Sequence, residues 1–256
     1  MKKVVVNNRK LVLYDSIDEL PIVNFQKYNK YLLIDAGIGS DVDSVDEHIS
    51  RLVKYIKTDI AKASQELQNY RQNLYMIANN ISPKHMAFAA LIYSIDGKVV
   101  KDLSDDNLKA ILDDLRTVKR SWLINLLVKI KKKITLELEL YFPQDFLNIR
   151  EKEVYDRLKH RAELVLEGII QDKNNADEIA KIDDYVFSLY KPNSFTGEES
   201  AEIKYDKQFE SLCVYIAQKT SLNAKSMTTL TFYSTLDNIR KQAEAEQKAY
   251  KKYKRR

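Results

Sequence analysis

The chain has 256 residues, 45% hydrophobic and 31% charged, a balance that builds a folded core and argues against wholesale disorder. With 5 Gly and 4 Pro it is too poor in turn formers for a sandwich or barrel, and no run approaches the ~18 apolar residues of a membrane span or makes a signal-peptide core. The net charge of +5 is uneven: Lys248, Lys251, Lys252, Lys254, Arg255 and Arg256 form an arm without acids, and the body before it stands at −1.

Lys3–Val6 and Arg9–Leu13 are rich in β-branched residues, and Asn7-Asn8 suits the positive-φ positions of a tight turn, so residues 1–14 are predicted to form a β-hairpin. A lone two-stranded ribbon is marginal in water, so it must pack on the helices or pair with a neighbouring subunit. Ser16-Ile17-Asp18-Glu19 has the form of a capping box, and Pro21 favours the first turn of a helix running to Asp35. Gly37 and Gly39 end it.

Ser44-Val45-Asp46-Glu47 repeats the capping pattern. Behind it, Ile49, Val53, Ile56, Ile60, Ala63, Leu67, Tyr70, Leu74 and Ile77 recur at alternating steps of four and three. That is a heptad seam, and residues 44–80 contain neither Gly nor Pro, so one helix of ~55 Å is predicted. A helix of that length overshoots a small core. Its seam must therefore meet other long helices, in this chain or in another.

Ser82-Pro83 opens the next helix, which is read as running from Met86 to Ile95 before a turn at Asp96-Gly97. Ser104-Asp105-Asp106 caps a helix with Leu108, Ile111, Leu112 and Leu115 on its apolar face. Residues 134–142 satisfy two patterns: Leu136, Leu138, Leu140 and Phe142 alternate as in a strand, whereas Glu and Leu are good helix formers and no partner strand lies nearby. The balance favours helix, ended by Pro143. Tyr155–Ile170 and Ala176–Tyr190 are amphipathic helices separated by Lys173-Asn174-Asn175, and residues 191–200 make the longest loop. Phe209–Gln218 is helical. A last helix starts near Ser226 and becomes polar on every side after Arg240, the mark of a helix that projects into solvent or onto a charged partner.

The fold expected is thus mainly α: an antiparallel helical bundle around one long helix at about 44–80, with a small N-terminal β-hairpin. Its parts are the hairpin (1–14), a helical core (15–190), a loop (191–200) and a C-terminal helical region with a basic arm (201–256).

Chemistry is sparse. Asp41, Asp43, Asp46, Glu47 and His48 are the only dense set of metal-ligand types, but counting from Asp41 a helix–loop–helix calcium site would need Gly at 46 and Glu at 52, where Asp and Leu stand. Acids around a helix start are expected from the macrodipole alone. Gly37-Ile38-Gly39-Ser40 lacks the Lys-Ser or Lys-Thr of a phosphate loop, and acids follow it. His48, His85 and His160 are far apart, and Cys213 in Leu212–Ile216 is a packing residue with no cysteine partner. No catalytic residue, metal ligand or cofactor is assigned, and no enzyme activity is expected. Lys129-Ile130-Lys131-Lys132-Lys133 suits a solvated helix face with its Ile inward. In the arm, Tyr250 and Tyr253 interleave with the cations, so Lys248, Tyr250, Lys251, Lys252, Tyr253, Lys254, Arg255 and Arg256 are the candidate partner-binding residues.

Two stretches, residues 13–41 (Leu13-Tyr14 through Phe25-Gln-Lys-Tyr-Asn-Lys-Tyr to Gly39-Ser40-Asp41) and 227–236 (Met227-Thr-Thr-Leu-Thr-Phe-Tyr-Ser-Thr-Leu236), resemble helical structural proteins of tailed bacteriophages, the crAss-like group in particular. The resemblance implies a virion component made in the host cytoplasm: a head–tail connector or adaptor ring subunit joining portal to tail. It also leaves room for an internal cargo protein or a tail-assembly chaperone, while the basic runs Lys129–Lys133 and Lys248–Arg256, which could hold phosphates non-specifically, offer the alternative of a nucleic-acid-binding accessory or cargo protein. The partners implied are copies of itself in a ring, portal and tail proteins, and non-specific contact with packaged DNA. No membrane is implied, and no catalytic residue is carried over.

Overall fold

The computed structural model of the chain describes residues 1–6, 8–115, 120–146 and 149–254, and at 120, 149–152, 252 and 253 the backbone only. It is 72% helical, with eleven helices among the described residues, and carries the expected N-terminal hairpin. The chain divides into two compact units, residues 1–138 with 193–256, and residues 139–192.

In the larger unit, Lys2–Val6 (β1) and Arg9–Leu13 (β2) pair antiparallel, and Asn8 takes a positive φ of 63° in the turn between them. Asn7, the other expected turn residue, lies outside the described residues. The hairpin finds its partner within the chain. Ile92–Ile95 (β3) pairs with β2 and, across Asp96-Gly97, with Lys98–Val99 (β4), giving a sheet in the order β1-β2-β3-β4. This corrects the sequence expectation, which carried a helix through to Ile95. Asp96 and Gly97 sit at φ 49° and 83°, the primed turn that Asp-Gly favours and that joins strands.

Ile22–Gly37 (α1) begins without the expected capping box. Ser16 and the Ile17 N–H both donate to Glu137 at 2.9 Å, and the Glu19 carboxylate meets the Met1 amine. Residues 16–20 form a turn held by these distant partners. The start of α1 is tied instead to the start of the last helix: the Ile22 N–H donates to Met227 O (3.0 Å) and the Thr229 N–H to Leu20 O (2.8 Å). On its buried side Phe25 meets Tyr233 edge-on at 6.1 Å.

The single long helix expected at 44–80 is two helices, Val42–Thr58 (α2) and Ile60–Ala78 (α3), folded back on one another. The break is one residue wide. Asp59 is extended (φ −156°, ψ 96°), its N–H closes α2 on Tyr55 O, and its carboxylate caps α3 through the Lys62 N–H. Asp is a preferred N-cap and a poor interior residue, which is why the turn needs no Gly or Pro. The cap of α2 also moves: Asp41, not Ser44, is the N-cap, and Ser44 closes the reciprocal bonds from the third helical position.

Pro83–Ala90 (α4) follows Ser82 and lies along α1, where the buried Asn24 amide donates to Ala90 O at 2.9 Å. Asp105–Asp114 (α5) is capped by Ser104 and buries Leu108 and Ile111. Arg120–Tyr141 (α6) is helical through the ambiguous stretch. Leu123, Leu126, Leu127, Ile130, Ile134 and Leu138 are buried at helical spacing, while Leu136 and Leu140 are exposed, so the period-two alternation is incidental.

The smaller unit holds Pro143–Phe146 (α7), Ile149–Gln171 (α8) and Ala176–Leu189 (α9). Helices α8 and α9 are antiparallel, joined by a two-pronged Arg161–Asp183 ion pair (2.6 and 3.2 Å) and by Arg157 stacked 3.9 Å from the Tyr185 ring centre. The Asn175 amide, donating to Leu164 O at 2.9 Å, fixes the turn.

Ala201–Thr220 (α10) and Thr229–Tyr253 (α11) complete the larger unit, with a 3₁₀ turn at Ala224–Ser226 between them. Cys213 is buried in α10 as expected, and burial pushes its thiol pKa up.

Candidate assembly surface

The hairpin of α2 and α3 inverts the usual order of polar and apolar faces. Between the helices, His48 Nδ1 faces Glu66 Oε1 at 2.7 Å and His48 Nε2 faces Ile38 O at 2.8 Å. Both ring nitrogens face acceptors, and the ring donates to both at once only as an imidazolium. Arg51 Nε lies 3.4 Å from the same carboxylate oxygen, and its guanidinium also donates to Glu47 at 2.8 Å. The Asn73 amide donates to Ile38 O at 2.8 Å. His48, Glu66, Asn69 and Asn73 are all buried, with Tyr55 and Ala63 beside them.

The loop after Pro192 straps this hairpin. Asn69 donates to Asn193 O (3.0 Å), Gln72 to Phe195 O (3.5 Å), and Thr196 to Gln68 (3.2 Å). Phe195 is buried against Gly37, where a Cβ would overlap its ring.

With polar groups inside, the part of the heptad seam carried by α2 points out. Val42, Ile49, Val53 and Ile56 are 70%, 43%, 52% and 56% exposed, and Ile60 beyond the break is 71% exposed. At 3.6 residues per turn, Val42, Val45, Ile49, Leu52, Val53 and Ile56 span an arc of about 100°. The buried edge with His48 and Tyr55 is centred about 100° from the middle of that arc. Val45 and Leu52, half-buried, mark the boundary between the two. Such a surface is unusual on a monomer and characteristic of an interface.

Charge flanks the apolar arc on its outer side. Asp43, Asp46, Ser50, Lys54 and Lys57 are exposed there, acids toward the start of α2 and cations toward its end. The acidic set considered for a metal is therefore dispersed. Asp41 caps the helix, Glu47 pairs with Arg51, His48 is turned inward, and Asp43 and Asp46 face out. No group of three or more His, Cys, Asp or Glu among the described residues is placed to share a metal ion. Asp41 is held below the usual carboxylate range by the Ser44 hydroxyl bond, with the Ser44 N–H and Lys84 adding to it against a burial penalty.

The arm residues lie at the end of α11. Past the buried Ile239, the described side chains from Lys241 onward are exposed, Lys248, Tyr250, Lys251 and Lys254 among them. Lys254 Nζ stands 6.0 Å from the Tyr250 ring centre. The side chains of Lys252 and Tyr253, and Arg255 and Arg256 entirely, lie outside the described residues. On α6, Lys129, Lys131, Lys132 and Lys133 are exposed around the buried Ile130, and Lys133 pairs with Asp15 at 3.2 Å.

The apolar face of α2 was visible in the sequence as a repeat, but its outward direction was not. The signal for that direction lay in His48, Arg51, Glu66, Asn69 and Asn73, polar residues at helical spacing on the other face. Among the described residues, no helix is long and apolar enough to cross a membrane. The chain matches no protein-family model, no curated protein and no solved structure.

Proposed function

We propose that this protein works by association rather than by catalysis: a structural subunit that assembles with copies of itself, in the role of a head–tail connector or adaptor ring joining the portal of a tailed bacteriophage to its tail. The observation that carries the assembly part is the exposed apolar arc of α2, turned outward while His48, Glu66, Asn69 and Asn73 occupy the inside of the hairpin. A chain that only needed to fold would turn these faces the other way. The exposed cationic end of α11 supports a second, charge-driven contact with a neighbouring subunit or the portal. The virion setting rests on the resemblance of residues 13–41 and 227–236. Electron microscopy of the purified protein and of particles is the test: rings are expected, and a chain that stays monomeric and never enters particles would sink the reading.

A nucleic-acid-binding accessory or cargo role is the second reading. It draws on Lys129, Lys131, Lys132 and Lys133, exposed on one helix, together with the arm. Against it stands the body charge of −1 outside the arm, since binding of a duplex by the body needs a basic face. Retention on duplex DNA that survives deletion of residues 248–256 and falls steeply with salt would favour this second reading.

A further inference from the structure

The sheet of the larger unit is open at both edges, and from this we infer that β1 of one copy joins β4 of the next, a head-to-tail contact that continues the sheet from subunit to subunit. The inference deepens the assembly reading and rests on it for the choice of a second copy as partner.

Backbone direction identifies the free groups. The Asp96 N–H donates to Lys10 O (2.8 Å), so Lys10 and Val12 turn their backbone groups toward β3, and Arg9, Leu11 and Leu13 turn theirs toward β1. By the β1–β2 register, Lys2, Val4 and Val6 answer them. Lys3 and Val5 are left with N–H and C=O groups directed off the edge. On the other side the Val100 N–H donates to Tyr93 O (2.9 Å), so Lys98 and Val100 face β3 and Val99 directs its backbone outward. Among the described residues no strand takes up either row, and such a row is a template for another strand. Lys2 and Lys3 guard one end of β1, but Val4-Val5-Val6 has neither Pro nor a bulge to protect it. Val5 and Val99 expose 69% and 44% of their surface.

The even number of strands decides the geometry. All pairings are antiparallel, so β1 and β4 run in opposite directions, and a copy in the same orientation lays its β1 antiparallel beside β4. The outward-directed residues Lys3, Val5 and Val99 share the solvent face, with the buried Leu11 and Leu13 on the other, so the joined strands keep both faces continuous. There is room for the incoming strand: a groove of about 680 Å³ follows Lys98–Asp102, and α5 lines it with Asn107, Ile111 and Asp114. Lys2–Val6 matches that stretch residue for residue. In full overlap Val5 meets Val99, Val4 meets Val100, and Lys2 stands opposite Asp102. Lys3 opposite Lys101 is the one like-charged pair, and both are exposed to screening water. The isologous alternative, β1 on β1, puts four lysines into one ribbon and leaves the β4 groove unfilled. A heterologous contact is also the kind that closes a ring, which an isologous one does not.

The test uses the full chain carrying Cys213→Ser. With Val5→Cys and Val99→Cys together, a short bifunctional thiol reagent should give a ladder of linked species. Neither substitution alone should do so, because like positions do not meet in a head-to-tail contact. Within one chain the two sites lie three strand spacings apart, roughly 14 Å, beyond the reach of such a reagent. Val5→Pro removes only an outward N–H, which an edge strand tolerates, and should weaken association in sedimentation at least tenfold while helix content and melting temperature are kept. Linking by either single variant, no ladder at any concentration, or association untouched by Val5→Pro would overturn the inference. Rings that form regardless of Val5→Pro would remove this contact and leave the connector reading standing. A ladder from a chain that never enters particles would do the reverse.

Discussion

His48 and Ile56 reverse the ranks that the heptad assigns them. A seam residue such as Ile56 is ordinarily the costly one to truncate, yet here it lies in solvent while His48 is 1% exposed against Glu66. His48→Ala would leave a buried carboxylate with Arg51 at 3.4 Å and should cost about 3 kcal/mol, read from guanidinium unfolding. Ile56→Ala should stay within about 0.5 kcal/mol at concentrations where the chain is monomeric. Asp41 offers a pH-dependent counterpart. Its pKa in the fold is depressed, first by the Ser44 hydroxyl bond, so its contribution is present above the ordinary value of 3.8 and lost as pH falls through the folded value. Asp41→Ala should therefore cost about 1 kcal/mol at neutral pH, and the gap to the parent chain should shrink in acid. Sequence made both residues candidates for a metal. It did not reveal His48 as a core group because its partner Glu66 lies 18 positions away, and it missed the cap at Asp41 because Ser44, the local partner, also has the form of an N-cap.

Elements that depend on local signals were legible, and those decided by distant partners were not. The N-terminal hairpin, the Ser82-Pro83 and Ser104 helix starts, the helix through 134–142 and the Asp-Gly turn all follow from residues within one or two turns. The helix–helix turn at Asp59 was missed because the heptad spacing runs through it without a change of register. Strand β3 was missed because Ile92–Ile95 needs β2, some eighty residues earlier, to show itself as a strand. The capping box at Ser16 failed for a similar reason, since Glu137 competes for the Ser16 hydroxyl and the Ile17 N–H. The strap over the hairpin gives an element-scale prediction. Gly37 ends α1 beneath Phe195, so Gly37→Ala should overpack the site and cost about 1–3 kcal/mol. Phe195→Ala removes a buried ring and should cost more by itself. Combined, the second substitution should relieve the first, and a strictly additive double mutant would mean that the strap does not press on Gly37.

At the scale of the whole molecule the separation of charge is the feature that packing does not explain. The body stands at −1 and needs no basic arm for solubility, yet α11 extends past its last buried residue, Ile239, by some four turns of exposed, cation-rich helix. An isolated stretch of that length is marginal in water, so a partner surface that holds it helical is its expected setting. Lys248, Lys251 and Lys254 recur every three residues, and Tyr250 exposes 63% of its surface among them, an apolar anchor that a merely solubilising tail would not require. Exposed ion pairs contribute only about 0–1 kcal/mol each, so the arm must act through several contacts together and weaken as salt screens them. Deleting residues 248–256 should leave helix content and thermal stability nearly unchanged, because no described side chain there is buried. The same deletion should impair joining to a neighbouring subunit or the portal, measured by particle incorporation and by sedimentation at about 0.15 M and about 0.5 M salt. The apolar arc of α2 lies elsewhere on the chain, so a truncated protein that still self-associates but no longer builds larger assemblies would assign the two surfaces their separate roles. Normal assembly of the truncated chain at physiological salt would reduce the arm to a solvated tail.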